Sequence, residues 1–346
     1  MAIHSRTLSV LATLALAGCG PVDGTGPGGG ETLPPITDPN IAQERTVALT
    51  TAELAYDPYR QVIYASVPAS AGGSYASSIV EIDSESGTLG RSVSVGGDPG
   101  ALALSDGGRY LYVAHRGSAD VSRVGLSAFT VDFRQGLPGG SVASDVAAIP
   151  GRPASFAVAL QSTGTRPGFD GVFVFDERTA RATAVEGDTG ATRIEPAGTS
   201  GRLFGYDAAT ERARFFAFDL TSSGVAAADS LGGLASGLDF RAAGSRVYFT
   251  DGTIVDPDFP AAIVGRFPAA GFVAPDPDRN RVFFVAPGST QIRAFNAGTR
   301  VLLREYTAPG TGGAAGSLIL LGGTGIAFRT PTQVIVVPTS RVLQQP

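Results

Sequence analysis

The sequence predicts an all-β fold, a seven-bladed β-propeller whose ring is closed by the N-terminal strand pairing into the last blade. Three observations lead there. The 47 glycines and 23 prolines of the 346 residues are spread between short apolar runs rather than clumped, the pattern of many short strands joined by turns. One unit recurs seven times at intervals of 35 to 48 residues, a period that, with several strands per unit, marks a propeller. The seventh unit is one strand short, and a strand with no unit of its own, RTVALT (45–50), precedes the first.

The N-terminus reads as an address. MAIHSR carries a positive charge at Arg6, and TLSVLATLALAG follows, an apolar run of signal-peptide length that is too short to span a bilayer as a helix. It ends in Leu16-Ala17-Gly18-Cys19, which resembles the lipobox of bacterial lipoproteins. The resemblance implies a signal peptide over 1–18, cleavage before Cys19 and lipidation of its sulfur. The alternative is an ordinary secretory signal that happens to hold a cysteine. Cys19 is the only cysteine in the chain, so a disulfide is no competing use for it. Gly20 follows; an Asp there would favour the inner membrane, so the resemblance leans to the outer membrane or the cell surface. Residues 19–45, dense in Gly, Pro and Thr without apolar periodicity, read as a disordered tether. The propeller is expected over 46–340 and a C-terminal tail over 341–346.

Each unit opens on a hairpin: ELAYDPYRQVIYAS, ALALSDGGRYLYVAH, DVAAIPGRPASFAVAL, IEPAGTSGRLFGYDA, LDFRAAGSRVYFTDG, FVAPDPDRNRVFFVAP and LILLGGTGIAFRTP. Tyr64, Tyr112, Ala157, Phe204, Tyr248, Phe283 and Ala327 occupy equivalent positions in the second strands. Third and fourth strands follow, most plainly in SSIVEIDSESGTLGRSVSVG, so each unit is one four-stranded blade. RTVALT then supplies the outer strand of the last blade beside QVIVVP, removing two open sheet edges. Residues 78–115, with Tyr112-Val113-Ala114-His115 at their end, resemble the YVTN-type propeller repeat of bacterial and archaeal exported proteins. Tyr248-Phe249-Thr250-Asp251 is similar, and the other units are degraded. The resemblance implies a seven-bladed ring and no particular activity.

With His4 inside the expected signal, His115 is the only histidine of the mature chain. Its equivalents are Val67, Leu160, Asp207, Asp251, Ala286 and Thr330, at the strand end that faces the ligand-side loops. The bland reading is a polar side chain that caps a strand end. The loops between second and third strands offer Tyr75, His115, Arg116, Asp120, Arg166, Asp170, Asp207, Arg212 and Asp251; of these, His115, Arg116, Asp120, Arg166, Asp207 and Asp251 are the binding candidates. Zinc lacks ligands in a chain this poor in His and Cys; calcium or magnesium, for which carboxylates suffice, is the alternative at Asp256/Asp258 and Asp276/Asp278, against the reading that Asp and Pro stand there for turn geometry alone. No metal, cofactor or catalytic residue is expected. A recurring arginine ahead of the second strand (Arg60, Arg109, Arg202, Arg246, Arg281) reads as a long side chain covering the hairpin away from the ligand face. Net charge −5 without an arginine stripe argues against nucleic acid.

The expected protein is thus a monomeric, membrane-anchored binding or scaffold module for an envelope protein, peptide or glycan. The rivals are a lactonase-like hydrolase or lyase in the central channel and a structural surface-layer component. A channel where several polar side chains converge with displaced titration would favour the enzyme. A flat loop face would favour the binding module.

Overall fold

The structure is a computed structural model that describes residues 34–162, 169–185, 191–198, 201–208, 213–258 and 260–344. Its strands form seven four-stranded antiparallel sheets. Blades 1 to 6 each consist of four consecutive strands, and their innermost strands are Glu53–Asp57, Pro99–Leu104, Val142–Ile149, Arg193–Pro196, Phe240–Ala243 and Phe272–Asp276. Blade 7 takes Gly316–Leu321, Gly325–Arg329 and Gln333–Pro338, then adds Arg45–Ala48 as its outer strand. Arg45 pairs with Val336 and Ala48 with Gln333. The closure is the expected one. The seven innermost strands touch their neighbours in a complete circle.

Alternation along a strand sends successive side chains to opposite faces of a blade. The apolar core is accordingly divided into seven clusters, one at each blade–blade interface. Between blades 2 and 3, Phe156 stacks on Tyr112 at 4.5 Å and on Phe175 at 5.2 Å. The hairpin alignment read from sequence holds: Tyr64, Tyr112, Ala157, Phe204, Tyr248, Phe283 and Ala327 each pair across to the same level of the innermost strand.

Three expectations need correction. The tether does not extend to residue 45. Asp38 pairs with Arg279 at 2.9 Å and accepts the Gly323 N–H at 2.7 Å, and Ile41 is buried in the blade 1–blade 7 cluster. An apolar residue four positions ahead of the closing strand is enough to dock this segment. The tail is not free from 341 either, because Thr339–Leu343 form a short helix that buries Val342 against blades 6 and 7. The recurring arginines do more than cover their hairpins. Arg60 pairs with Asp57 at 3.0 Å and donates to the Gly108 carbonyl of the next blade at 2.7 Å. Arg281 does the same with Asp276 at 2.7 Å and the Gly323 carbonyl at 2.5 Å. In blades 1 and 6 the recurring arginine is therefore a strap to the next blade, matched to an aspartate at the end of the innermost strand, whereas Arg246 pairs with Asp256 inside its own blade at 3.1 Å.

Among the described residues, no helix is long and apolar enough to cross a membrane. Cys19 and the signal-like segment lie outside the described residues.

Candidate functional site at the channel

The expected ligand-side residues do not converge. His115 is fully buried, and its Nε2 is 2.8 Å from the Ser122 hydroxyl and 3.6 Å from Asp120. Burial lowers its pKa, and Arg134 adds to that, while Asp120 pulls the other way. His115 is thus a buried residue, held by the Ser122 hydroxyl of the adjacent strand and closed over by Gly97, where a Cβ would stand 2.7 Å from its Nδ1. Asp120 is taken by the Ser118 hydroxyl at 3.0 Å and faces Arg134 at 3.7 Å. Asp251 accepts the Thr253 N–H and hydroxyl in an Asx-type turn and pairs with Arg266. Asp207 is buried. Asp170 accepts from the Ser141 hydroxyl. Arg166 and Arg212 lie outside the described residues. Of the five candidates among the described residues, Arg116 alone is exposed, lying over Gly100 on the innermost strand of blade 2.

The charge that does converge sits on the innermost strands. Opposite the seven equivalent second-strand residues stand Ala55, Ala103, Ala147, Glu195, Arg241, Ala274 and Ile319. Two residues earlier come Glu53, Ala101, Asp145, Arg193, Asp239 and Phe272 in blades 1 to 6. Small apolar residues leave an axial cavity of about 290 Å³, whose lining includes Glu53, Asp145, Arg193, Glu195 and Arg241. The charges alternate across blades 4 and 5. Arg193 faces Asp239 at 3.6 Å, Asp239 faces Arg241 at 3.8 Å, and Arg241 donates to Glu195 Oε1 at 2.9 Å. The second Glu195 oxygen accepts the Ala242 N–H at 2.6 Å. Asp145 accepts the Val146 N–H and, from the neighbouring blade, the Ile194 N–H, both at 2.9 Å.

Titration is displaced here because carboxylates surrounded by protein lose hydration that their partners only partly restore. Burial pushes Asp145 up to about 6, against Arg193 and its two N–H donors. Burial pushes Glu195 up to about 7, although Arg241 and the Ala242 N–H favour its charged form. Burial also works against the Arg241 charge, yet Glu195 and Asp239 hold its guanidinium well above the ordinary value. Asp239 holds Arg193 up in the same way. Among the described residues no group of three His, Cys, Asp or Glu side chains could hold a metal ion. The four channel carboxylates already accept from backbone N–H groups or face arginines.

These residues were legible in principle. Charge in the first strand of a propeller unit, where sister units carry Ala, Ile or Phe, marks the channel wall.

No family model matches the chain, and no curated protein matches it. Among solved structures it is similar to a chain of Kuenenia stuttgartiensis hydrazine synthase, at 15% identity and a TM-score of 0.69, covering 84% of this chain and 96% of that one. It is also similar to the β-propeller domain of Myceliophteria thermophila Cps50 (Swd1), at 14% identity and a TM-score of 0.67, covering 85% and 99%. These likenesses place the chain among β-propellers. At such identities they carry the fold and no activity.

Proposed function

We propose that this chain is an envelope-anchored binding module of the YVTN-type propeller class, and that its ligand site is the charged channel. The observation that carries this reading is the cavity of about 290 Å³, at the lower end of the volumes of small-molecule pockets. It accommodates a small polar molecule, or a side chain or chain end projecting from an envelope protein, peptide or glycan. The Arg193–Asp239–Arg241–Glu195 series presents donors and acceptors on a rigid wall, where little ordering entropy is lost on binding. The lipobox supports anchoring through Cys19, and mass spectrometry of the membrane fraction should find an acylated Cys19 at a new N-terminus. A soluble form that still contains His4 contradicts the anchor.

The binding reading is tested with a panel of small polar metabolites and glycans against the full chain, scored by thermal shift. A ligand of the channel stabilises the wild type and loses its effect in the Glu195→Leu/Arg241→Met pair, which replaces the ion pair by apolar volume. A ligand that stabilises both equally places its site elsewhere.

The second reading, a channel hydrolase or lyase, is the one that converging polar side chains with displaced titration were expected to favour; it stands second because Glu195 and Asp145 are already occupied by Arg241 and by backbone N–H donors. Two carboxyls of one cavity titrate near neutrality, at about 6 and about 7, the range suited to proton transfer. Turnover of a lactone or ester panel that disappears in Glu195→Gln supports it. Binding without turnover supports the module.

A further inference from the structure

Two further arginines lie on either side of blade 1, and unlike those of blades 4 and 5 they are unpaired among the described residues. Arg329 ends the second strand of blade 7, half-buried. Its Nε is sealed from solvent and has no hydrogen-bond partner. Arg116 follows the second strand of blade 2 and is exposed. Among the described residues neither guanidinium has an ion pair or a hydrogen bond.

Both side chains lie in places that only glycine leaves open. A Cβ on Gly316 would come within 2.8 Å of Arg329 Nη2, and one on Gly100 within 2.8 Å of Arg116 Nε. These two glycines lie on the innermost strands of blades 7 and 2, which flank blade 1 on either side. Blade 1 ties both together. The Ser317 hydroxyl, next to Gly316, donates to Glu53, and the Ser66 hydroxyl donates to the Gly100 carbonyl at 2.8 Å and accepts the Glu53 N–H at 3.0 Å. The two arginines therefore bracket Glu53 at the channel mouth. Arg193, which lines the same cavity as Glu53, completes the set from blade 4.

We infer that Arg116, Arg193 and Arg329 form an oxyanion subsite at the channel mouth, which takes a carboxylate, phosphate or sulfate group of the ligand. The inference rests on the channel-binding reading and names the chemistry of one end of its ligand. Arg193 is already opposed by Asp239, and Glu53 lies too far from Arg329 for an ion pair, so the three cations exceed their local counter-charge. The pKa of Arg329 is lowered, first by burial and then by Arg116 and Arg193, with Glu53 acting against them. A half-buried guanidinium with no acceptor is costly, and an oxyanion removes that cost while a planar fork binds it in two-point fashion.

Sodium acetate, phosphate and sulfate are titrated into the full chain at constant ionic strength, with chloride as reference, and followed by calorimetry and thermal shift. At least one should bind saturably; acetate against phosphate and sulfate separates a planar from a tetrahedral preference. Binding should weaken at least about tenfold in Arg329→Gln and less in Arg329→Lys. It should be unchanged in Arg178→Gln, an exposed arginine of an outer turn of blade 3. Arg116→Gln, on an exposed side chain, provides the same test without risk to the fold. Selenate density between the three guanidiniums in crystals completes the positive result. Equal binding in the wild type and both Gln variants overturns the subsite, as does binding of none of the three anions. If a neutral ligand of the panel still depends on Glu195 and Arg241, the channel reading survives that failure. If no ligand depends on them, both fall.

Discussion

The docking of the segment ahead of the closing strand can be tested at one close contact. Ile41 is 4% exposed, and its Cδ1 lies 2.2 Å from where a Cβ on Gly325 would stand. Truncation by Ile41→Ala removes buried methyls from the blade 1–blade 7 cluster and should cost about 2–5 kcal/mol. Gly325 has an ordinary backbone conformation, so Gly325→Ala acts by overpacking alone and should cost about 1–3 kcal/mol. In the double variant the alanine methyl enters space that the isoleucine vacated. The two costs should then fall short of additivity by about 1 kcal/mol or more, inside the range of contacting pairs. Urea unfolding of the four proteins, followed by far-UV circular dichroism with slopes compared, measures the cycle. Additivity within about 0.5 kcal/mol, or an Ile41→Ala variant as stable as the wild type, would refute the docking. The flexible tether would then reach the closing strand, as the composition alone suggested.

The remaining predictions concern core and charge. Phe156→Ala, at the centre of the Tyr112–Phe156–Phe175 stack, should cost about 3–5 kcal/mol, read from the denaturant midpoint. Glu195 and Asp145 have folded pKa values raised above the ordinary carboxylate range, so the folded state holds more protons than the unfolded one. Their contribution to stability is present at low pH and is lost as pH rises from about 4 to about 7; Glu195→Gln should flatten that slope, and an unchanged slope counts against the buried carboxyl. His115 has the opposite sign. Its pKa is lowered by burial, so its contribution is present above about pH 6.5 and is lost as pH falls below that; His115→Gln should remove this acid sensitivity from urea midpoints taken at about pH 7.5 and 5. Arg281→Ala leaves the buried Asp276 with only the longer Arg279 contact at 3.6 Å and should cost about 3 kcal/mol, much of it recovered in Arg281→Met/Asp276→Leu.

The sequence by itself determined the ring. Strand period, turn residues and the seven-fold recurrence are local properties, and the leftover strand RTVALT with the incomplete last unit left one way to close the sheet. The alignment of Tyr64, Tyr112, Ala157, Phe204, Tyr248, Phe283 and Ala327 survived intact because hairpin register is set by nearby turns. The site was decided by tertiary structure. His115 and Asp251 looked available because a strand end is polar and exposed in isolation. In the fold, Ser122 and Asp120 enclose the one, and Thr253 and Arg266 occupy the other. Glu195, Arg241, Asp145 and Arg193 looked like scattered charges up to a hundred residues apart, and only closure of the circle brings them to one wall. Burial, and with it the raised titration of Asp145 and Glu195 and the unpaired state of Arg329 beside Gly316, comes from atoms contributed by several blades, so a linear reading can mark these charges as unusual for a first strand but cannot say which of them remain without a partner.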